Sequence, residues 1–388
     1  MISKSERRQP SLDLSAPGAA SISRRSLLRG AGLGVMALAL GACSSRETVD
    51  GGGGGAGKQI AVTDMRGIEA QLSGPVERIA TAVIPAPAMI AAVDGGYDRI
   101  VGINESTKAS NRQGIFEEMF PESANSTVIA PSSFVPNVET IVKLDPDVVF
   151  QWSDRGDDLI DPIEAAGYPV LGLVYGTQAD LEAWISIFGE VLDKPDRSRE
   201  ILEWMHAEEA SLREKTRGQD KTVRTLHLKQ SGEGYAARNS TTYEHYWITL
   251  AGGENVAADL VGADSTVSAE QLIEWDPEVI TLGGFDERTP HEVYGDPALA
   301  SISAIRNKRV YKAPIGAYRW EVPCAESPLM WRWATKILHP DLDLGDLRAE
   351  TAARLKQLYN YQVSSEQIDR ILRVDLNGPS ADYAVFRA

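Results

Sequence analysis

The sequence predicts an α/β protein of two lobes, each with a mostly parallel central sheet, joined by a long linker helix. Predicted strands and helices alternate along both halves of the chain, which is typical of a parallel sheet covered by helices. The phrase VETIVKLDPDVVF in the first half returns as AEQLIEWDPEVIT in the second, with the matching glutamates 131 residues apart. A long stretch with helical spacing of apolar residues separates the halves.

The chain opens with a segment typical of an export signal. The pair Arg24-Arg25 precedes an apolar run over residues 30–40, which is too short to span a bilayer as a helix. The paired arginines followed by two leucines resemble a Tat signal, which exports proteins that have already folded. The sequence LGAC, which ends at Cys43, resembles a bacterial lipobox. We therefore expect a signal peptide over residues 1–42 and a lipid on Cys43.

Residues 43–58 are rich in serine and glycine and are predicted to form a flexible tether. The end of this stretch, GGGGGAGK, nearly matches a phosphate-binding loop. However, Gln59 stands where that loop requires serine or threonine, and no predicted strand precedes it. The pattern favours a tether over a nucleotide site.

The composition restricts the possible functions. The chain of 388 residues has a net charge of −16, and without residues 1–42 it has 33 basic and 53 acidic residues, a net charge of −20. Such an acidic body argues against nucleic-acid binding. If Cys43 carries lipid, Cys324 has no partner for an intramolecular disulfide, and we expect it to be a small buried side chain.

The alternation of elements divides the mature chain into four parts. We predict an N-terminal lobe over residues 59–177, a linker helix region over 178–217, a C-terminal lobe over 218–340 and a helical tail over 341–388. Pro195 is expected to break or kink the linker. Each repeated phrase is predicted as a short helix that ends before a proline and is followed by a buried strand.

Several phrases in a fixed order carry a more specific resemblance. VERIATAV, NVETIVKLDPDVVFQW, AGYPVLGL, LAGGENV, SAEQLIEWDPEVI and RWEVPCAESPLMWRWATKILHP occur in that order within about residues 60–374. With these phrases the chain resembles the ABC-transporter solute-binding proteins for ferric siderophores, haem and cobalamin, which have a class III solute-binding protein fold. The resemblance implies a monomeric, lipid-anchored binder outside the cytoplasm that is not an enzyme and that serves a permease dimer with its ATPase.

The resemblance also implies a role for the glutamates of the repeated phrase. In that family these glutamates lie on the outer surface of each lobe and meet basic residues of the permease. Glu139 and Glu270 are therefore expected to be docking carboxylates, one in each lobe. The alternative is that each is an ordinary solvated glutamate on a helix.

A ligand of an open α/β sheet binds beyond the carboxyl ends of the strands. Aromatic and basic residues follow the predicted strands, and we expect these to line the cleft: Arg112, Trp152, Arg155, Tyr235, Arg238, Phe285, Arg288, Tyr318, Arg319 and Trp320. Guanidinium groups pair with the anionic oxygens of an iron chelate, and aromatic faces cover its organic shell. Trp152 also matches the position of a tryptophan in the cobalamin-binding relatives.

A ferric siderophore is the expected ligand because the predicted cleft is rich in arginine. Cobalamin, haem or a nickel complex are the alternatives, and Tyr318 or Tyr235 could ligate haem iron. We expect no permanently bound cofactor and no metal bound by the protein itself, because the five histidines lack zinc-type spacing. A hydrolase or a surface adhesin on the same fold is the alternative of a different class, although the sequence contains neither G-x-S-x-G nor H-E-x-x-H.

Overall fold

The structure, a computed structural model, describes residues 59–219, 221–232, 234–263 and 265–387. The predicted signal peptide, Cys43 and the tether lie outside the described residues. The elements before the linker are, in chain order, β1 Gln59–Thr63, β2 Glu69–Ser73, β3 Ile79–Thr81, α1 Ala86–Asp94, β4 Ile100–Asn104, α2 Glu105–Ser110, α3 Phe116–Met119, β5 Thr127–Ala130, α4 Val138–Leu144, β6 Val148–Trp152, α5 Asp161–Ala165 and β7 Val170–Leu173.

The first lobe is built on a parallel sheet in the order β5-β4-β3-β6-β7. All residues of β3, β6 and β7 are buried, as expected for strands with helices on both faces. The antiparallel hairpin β1–β2 precedes this sheet and was not predicted. It is tied to the sheet because the backbone N–H of Met65 donates to the carbonyl of Gly172 over 3.1 Å.

The linker consists of two helices, α6 Gln178–Val191 and α7 Pro195–Arg217. Pro195 is the first residue of α7, so the predicted interruption of the helical stretch at this proline is confirmed. The 23 residues of α7 correspond to a helix about 35 Å long at the usual rise per residue. The two helices pack along each other.

The second lobe and the tail contain the remaining elements. These are β8 Val223–Ser231, β9 Gly234–Ala237, α8 Tyr243–Leu250, β10 Gly253–Asn255, β11 Ser265–Val267, α9 Ala269–Trp275, β12 Val279–Leu282, α10 Pro290–Gly295, α11 Ser303–Arg306, β13 Val310–Lys312, α12 Ser327–Leu338, α13 Leu347–Tyr359, α14 Ser365–Ile371 and α15 Val374–Asn377. The second sheet has the order β11-β9-β8-β12-β13, with β10 also paired to β8.

Most neighbouring strands of the second sheet are parallel, but β9 pairs antiparallel with both β8 and β11. The expected architecture of two lobes with mostly parallel sheets and a helical linker is therefore confirmed. The tail covers the edge strand β13, because the side-chain amide of Asn377 accepts from the N–H of Lys312 over 2.6 Å and donates to its carbonyl over 3.0 Å. This contact satisfies a sheet edge that would otherwise be open.

The repeated phrase forms the same local structure twice. Asn137 and Ser268 cap the first turns of α4 and α9 with their side chains. Asp145 and Asp276 end the two helices in the left-handed conformation, with φ of 46° and 37°. A proline follows in each copy, and a buried strand comes after it, as predicted.

The helices of the linker bind the lobes together. Helix α12 packs on α7, and Arg332 forms a two-pronged ion pair with Glu208 through contacts of 2.9 and 2.7 Å. Trp184, Trp331 and Trp333 are fully buried around these helices. Within the described residues, no helix combines the length and apolar character needed to cross a membrane.

Candidate functional site

A cavity of about 420 Å³ lies where residues of both lobes meet. Its N-lobe residues follow β3, β6 and β7, so the carboxyl ends of these strands face it, as expected for an α/β sheet. The lining residues are Ile84, Pro85, Trp152, Arg155, Tyr175, Gly176, Arg238, Thr241, Thr242, Tyr243, Glu244, Ala263, Tyr318, Arg319, Val322 and Pro323.

The N-lobe wall is an aromatic cluster that carries one arginine. Trp152 ends β6 and is 2% exposed. The guanidinium carbon of Arg155 lies 4.1 Å from the ring centroid of Trp152 and 4.6 Å from that of Phe134, which are cation–π distances. Tyr175 packs edge-on against Trp152 at 6.2 Å. The wall therefore offers both an apolar face and a positive charge.

The C-lobe wall is formed by the segment that follows β13. Arg319 lies over the ring of Phe285, with 5.1 Å between the guanidinium carbon and the centroid, and 3.9 Å from the carboxylate of Glu321. Burial opposes the charge of Arg319, but Tyr318 and Glu321 outweigh it and raise the pKa of the guanidinium. Burial also disfavours the charged form of Glu321 and so raises the pKa of this carboxyl group. Arg319 and the N–H of Gly284 oppose that rise.

The third arginine of the cavity stands beside the first turn of α8. Nε of Arg238 lies 3.5 Å from Oε1 of Glu244, and the two side chains are only 18% and 5% exposed. Thr242 is the N-cap residue of α8 and makes no side-chain capping hydrogen bond. The first turn of α8, which carries Glu244, thus borders the cavity.

A buried acid, Glu326, holds the loop that carries Tyr318 and Arg319. Its carboxylate accepts hydrogen bonds from the N–H of Ala317 and the hydroxyl of Tyr359, both at 2.9 Å, and from the indole N–H of Trp320. Burial raises the pKa of Glu326 to about 7. These bonds hold Ala317 and Trp320, the residues on either side of Tyr318 and Arg319.

The structure brings five of the sequence-predicted ligand residues together around one cavity. These are Trp152, Arg155, Arg238, Tyr318 and Arg319.

Five other predicted residues, Arg288 among them, do not line it. Arg112 follows α2 and lines a separate cavity of about 370 Å³, where it lies 3.3 Å from Glu117. Tyr235 lies in β9 beneath the guanidinium of Arg288, 4.3 Å from its ring centroid. Phe285 packs behind Tyr318 at 5.6 Å, and Trp320 is fully buried against Glu326.

Sequence reasoning missed Tyr175 and Glu244. Tyr175 comes two residues after β7, so the rule that ligands bind beyond strand ends could have identified it. Its hydroxyl donates to the carbonyl of Pro323 over 2.6 Å, a contact between the two lobes. No comparable signal marks Glu244, because its burial follows from the way α8 packs beside Arg238.

The two repeat glutamates lie on the protein surface. Glu139 is in the first turn of α4, 80% exposed, and accepts from the ammonium of Lys143 over 2.7 Å. Glu270 occupies the same position in α9 and is also exposed. Hydrogen bonds from its own backbone N–H and from Ser268 lower the pKa of Glu270.

Cys324 and His227 are both buried in the core of the described residues. Cys324 is 2% exposed, as expected for a buried side chain, and burial raises the pKa of its thiol. His227 lies in β8 with Nδ1 3.0 Å from Oγ1 of Thr281, and burial lowers its pKa to about 3. Across the described ranges, no three or more His, Cys, Asp or Glu side chains gather as a metal site would require.

Comparison with known proteins identifies a family that this chain matches. The profile of a family described as periplasmic binding protein matches residues 84–315. A solved periplasmic solute binding protein from Veillonella parvula is 31% identical, with a TM-score of 0.78 over 83% of this chain and 99% of that one.

Two curated relatives are more distant. The molybdate-binding protein MolA of Haemophilus influenzae is 26% identical over 273 residues, which are 63% of this chain and 76% of MolA. Its molybdate-bound structure, whose description names it the cognate binding protein of an ABC transporter, aligns with a TM-score of 0.68 at 22% identity, over 78% of this chain and 99% of that one. A vitamin B12-binding protein of Vibrio campbellii is 24% identical over 209 residues, 54% of this chain and 71% of the relative.

Proposed function

Because the chain belongs to the periplasmic binding protein family, we propose that it captures a ferric siderophore outside the cytoplasm and delivers it to an ABC importer. The coarser role, a solute-binding protein that works with an ABC transporter, follows from the family and from relatives such as MolA. Solute-binding proteins bind and release their ligand without changing it. The chain is accordingly proposed to be a binder and not an enzyme.

The observation that carries the choice of ligand is the set of arginines in the cavity. Among the described lining residues, Arg155, Arg238 and Arg319 stand against a single carboxylate, Glu244. This positive excess is found inside a chain whose net charge is −16, so it favours an anionic ligand. Guanidinium groups bind catecholate, hydroxamate or carboxylate oxygens in two-pronged geometry.

The aromatic walls favour a ligand with an organic shell over a bare oxyanion. Trp152, Tyr175 and Tyr318 line the cavity with aromatic rings, which suit the organic part of a chelate better than a tetrahedral oxyanion. The cavity volume of about 420 Å³ falls in the usual range of small-molecule sites, roughly 300–1,000 Å³. Molybdate and vitamin B12, which the relatives' names report, together with haem and a nickel complex, are the competing ligands.

We propose that the N-terminal leader directs the protein out of the cytoplasm. The twin arginine Arg24-Arg25 would direct export of the folded chain, and acylated Cys43 would hold it on the outer face of the membrane. Glu139 and Glu270 would then dock on the permease, which works as a dimer with its ATPase. In this cycle a monomer of the protein captures the ligand and then docks on the permease.

Titration of the tryptophan fluorescence with a panel of ligands tests the proposal. We expect saturable, sub-micromolar quenching by a ferric hydroxamate or ferric catecholate. Trp152→Phe should reduce the quenching but leave the calorimetric affinity within about threefold, because phenylalanine keeps the apolar wall. Saturation by molybdate, cobalamin, haem or a nickel complex alone would show that this compound, and not a siderophore, is the ligand. Turnover of an ester by the purified protein would contradict the proposal that the protein is a binder and not an enzyme.

A further inference from the structure

The two repeat helices match in exposure as well as in sequence. Each of the seven positions of α4 falls in the same class, buried, half-buried or exposed, as its counterpart in α9. Glu139 and Glu270 are followed three residues later by exposed aliphatic residues, Val142 at 47% and Ile273 at 41%. Residues three apart on a helix lie on the same face. An acid and an aliphatic side chain therefore stand together on each lobe.

The exposed aliphatic residues are not required by the core. Ile141 and Leu272, the preceding residues, are fully buried and anchor the two helices to their lobes. Single exposed aliphatic residues are common on protein surfaces. Here, however, the same kind of side chain occupies the same position beside the same acid in both lobes, which indicates a shared requirement.

The charge on the two faces differs. In α4, Lys143 follows Glu139 by four residues and pairs with it at 2.7 Å. At the matching position α9 has Glu274, so Glu270 shares its face with a second acid. The α4 face is thus nearly neutral and the α9 face is doubly negative.

We infer that α4 and α9 form two matching docking faces on which Val142 and Ile273 make the apolar contact, while the α9 face supplies most of the charge attraction. The occupant is a permease with two equivalent basic surfaces, and this part rests on the proposed function. A duplicated face fits a partner that presents the same surface twice, as a dimer does. The doubly negative α9 face, on a chain of net charge −16, favours a basic partner.

The apolar contact is tested with the ABC importer through which the protein supports uptake, reconstituted in nanodiscs. The full-length protein with Val142→Asn and Ile273→Asn should bind the importer at least tenfold more weakly than the wild type. Ile68→Asn is the matched control, since Ile68 is 50% exposed in the turn between β1 and β2. That control should change binding by less than twofold. Wild-type binding by the double variant would overturn the apolar contact.

The unequal charge is tested by single substitutions in the same assay. Glu270→Gln should weaken binding at least threefold more than Glu139→Gln, and the difference should shrink at high salt. Lys143→Ala should strengthen binding because it frees Glu139 from its neighbour. A larger loss from Glu139→Gln, or no gain from Lys143→Ala, would overturn the charge assignment.

Ligand binding separates failure of this inference from failure of the proposed function. All these residues are on the surface and none lines the cavity. Every variant should therefore keep the wild-type titration with the ferric hydroxamate. If the wild type itself neither binds that ligand nor any ABC importer, the proposed function is wrong. If the wild type does both and the docking variants behave like it, only the docking faces are wrong.

Discussion

Gly316 lies directly against the carboxylate of Glu326, so that a Cβ built on Gly316 would fall 1.6 Å from Oε2. The same carboxylate binds the backbone N–H of Ala317 and the indole of Trp320. The loop that brings Arg319 to the cavity is therefore shaped around one buried acid. A side chain at Gly316 would therefore displace this carboxylate or the loop.

Gly316→Ala should lower the free energy of unfolding by about 1–3 kcal/mol, because the added methyl group overpacks the buried carboxylate. Urea unfolding followed by circular dichroism measures it. Gly295→Ala is the control, since no atom lies within 4 Å of a Cβ at Gly295. Equal midpoints for the two variants would show that the loop adjusts at no cost.

Glu326 should make stability depend on pH. Burial raises its pKa from 4.5 to about 7, so between these values the folded state holds a proton that the unfolded chain releases. The contribution of this group to stability is therefore full below pH 4.5 and is lost as the pH rises through 7, a total of about 3 kcal/mol.

The comparison of wild type with Glu326→Gln isolates this effect, because all other titrating groups are shared. The difference between their unfolding free energies should change by about 2–3 kcal/mol between roughly pH 5 and pH 8. The wild type should become more stable relative to Glu326→Gln as the pH is lowered. A difference independent of pH would contradict the assignment of the raised pKa to this residue.

Arg319→Ala should weaken the binding of a ferric siderophore about 10- to 100-fold, the usual effect of losing a hydrogen bond to a charged group. Arg112→Ala should change the affinity by less than twofold, because Arg112 lines a different cavity. Isothermal titration calorimetry compares the two. Equal losses would place the ligand across both cavities instead of in the arginine-lined one.

Export and anchoring can be tested separately. Arg24→Lys with Arg25→Lys should retain the precursor in the cytoplasm, because the Tat signal depends on the arginine pair. Cys43→Ser should leave the protein unacylated, so that it no longer fractionates with the membrane as the mature lipid-anchored form. Cell fractionation with immunodetection measures both, and unchanged export of the arginine variant would contradict the Tat assignment.

The two lobes could be predicted from the repeated phrase. In each copy the helical periodicity, the proline and the apolar run that follows all indicate the same local structure, a short helix and then a buried strand. The hairpin of β1 and β2 was not predicted. The apolar run in β1 Gln59–Thr63 is only three residues long, shorter than the four to eight that indicate a strand. Strand β11 Ser265–Val267 is short, and only its pairing with β9 makes it a strand.

The cavity was predicted only in part, for a different reason. The strand-end rule located several of the loops that line the cavity, but neighbouring side chains in a loop point in different directions. Arg319 reaches the cavity, whereas Trp320 turns inward to Glu326. Tertiary packing decides between them, and a single sequence does not contain that information.

Uptake of radioactive iron tests the central claim most directly. Cells that carry the wild-type protein should accumulate iron from a ferric siderophore, cells without it should not, and Arg112→Ala should restore uptake where Arg319→Ala fails. Siderophore uptake that does not depend on the protein, together with protein-dependent uptake of labelled cobalamin or molybdate, would contradict it.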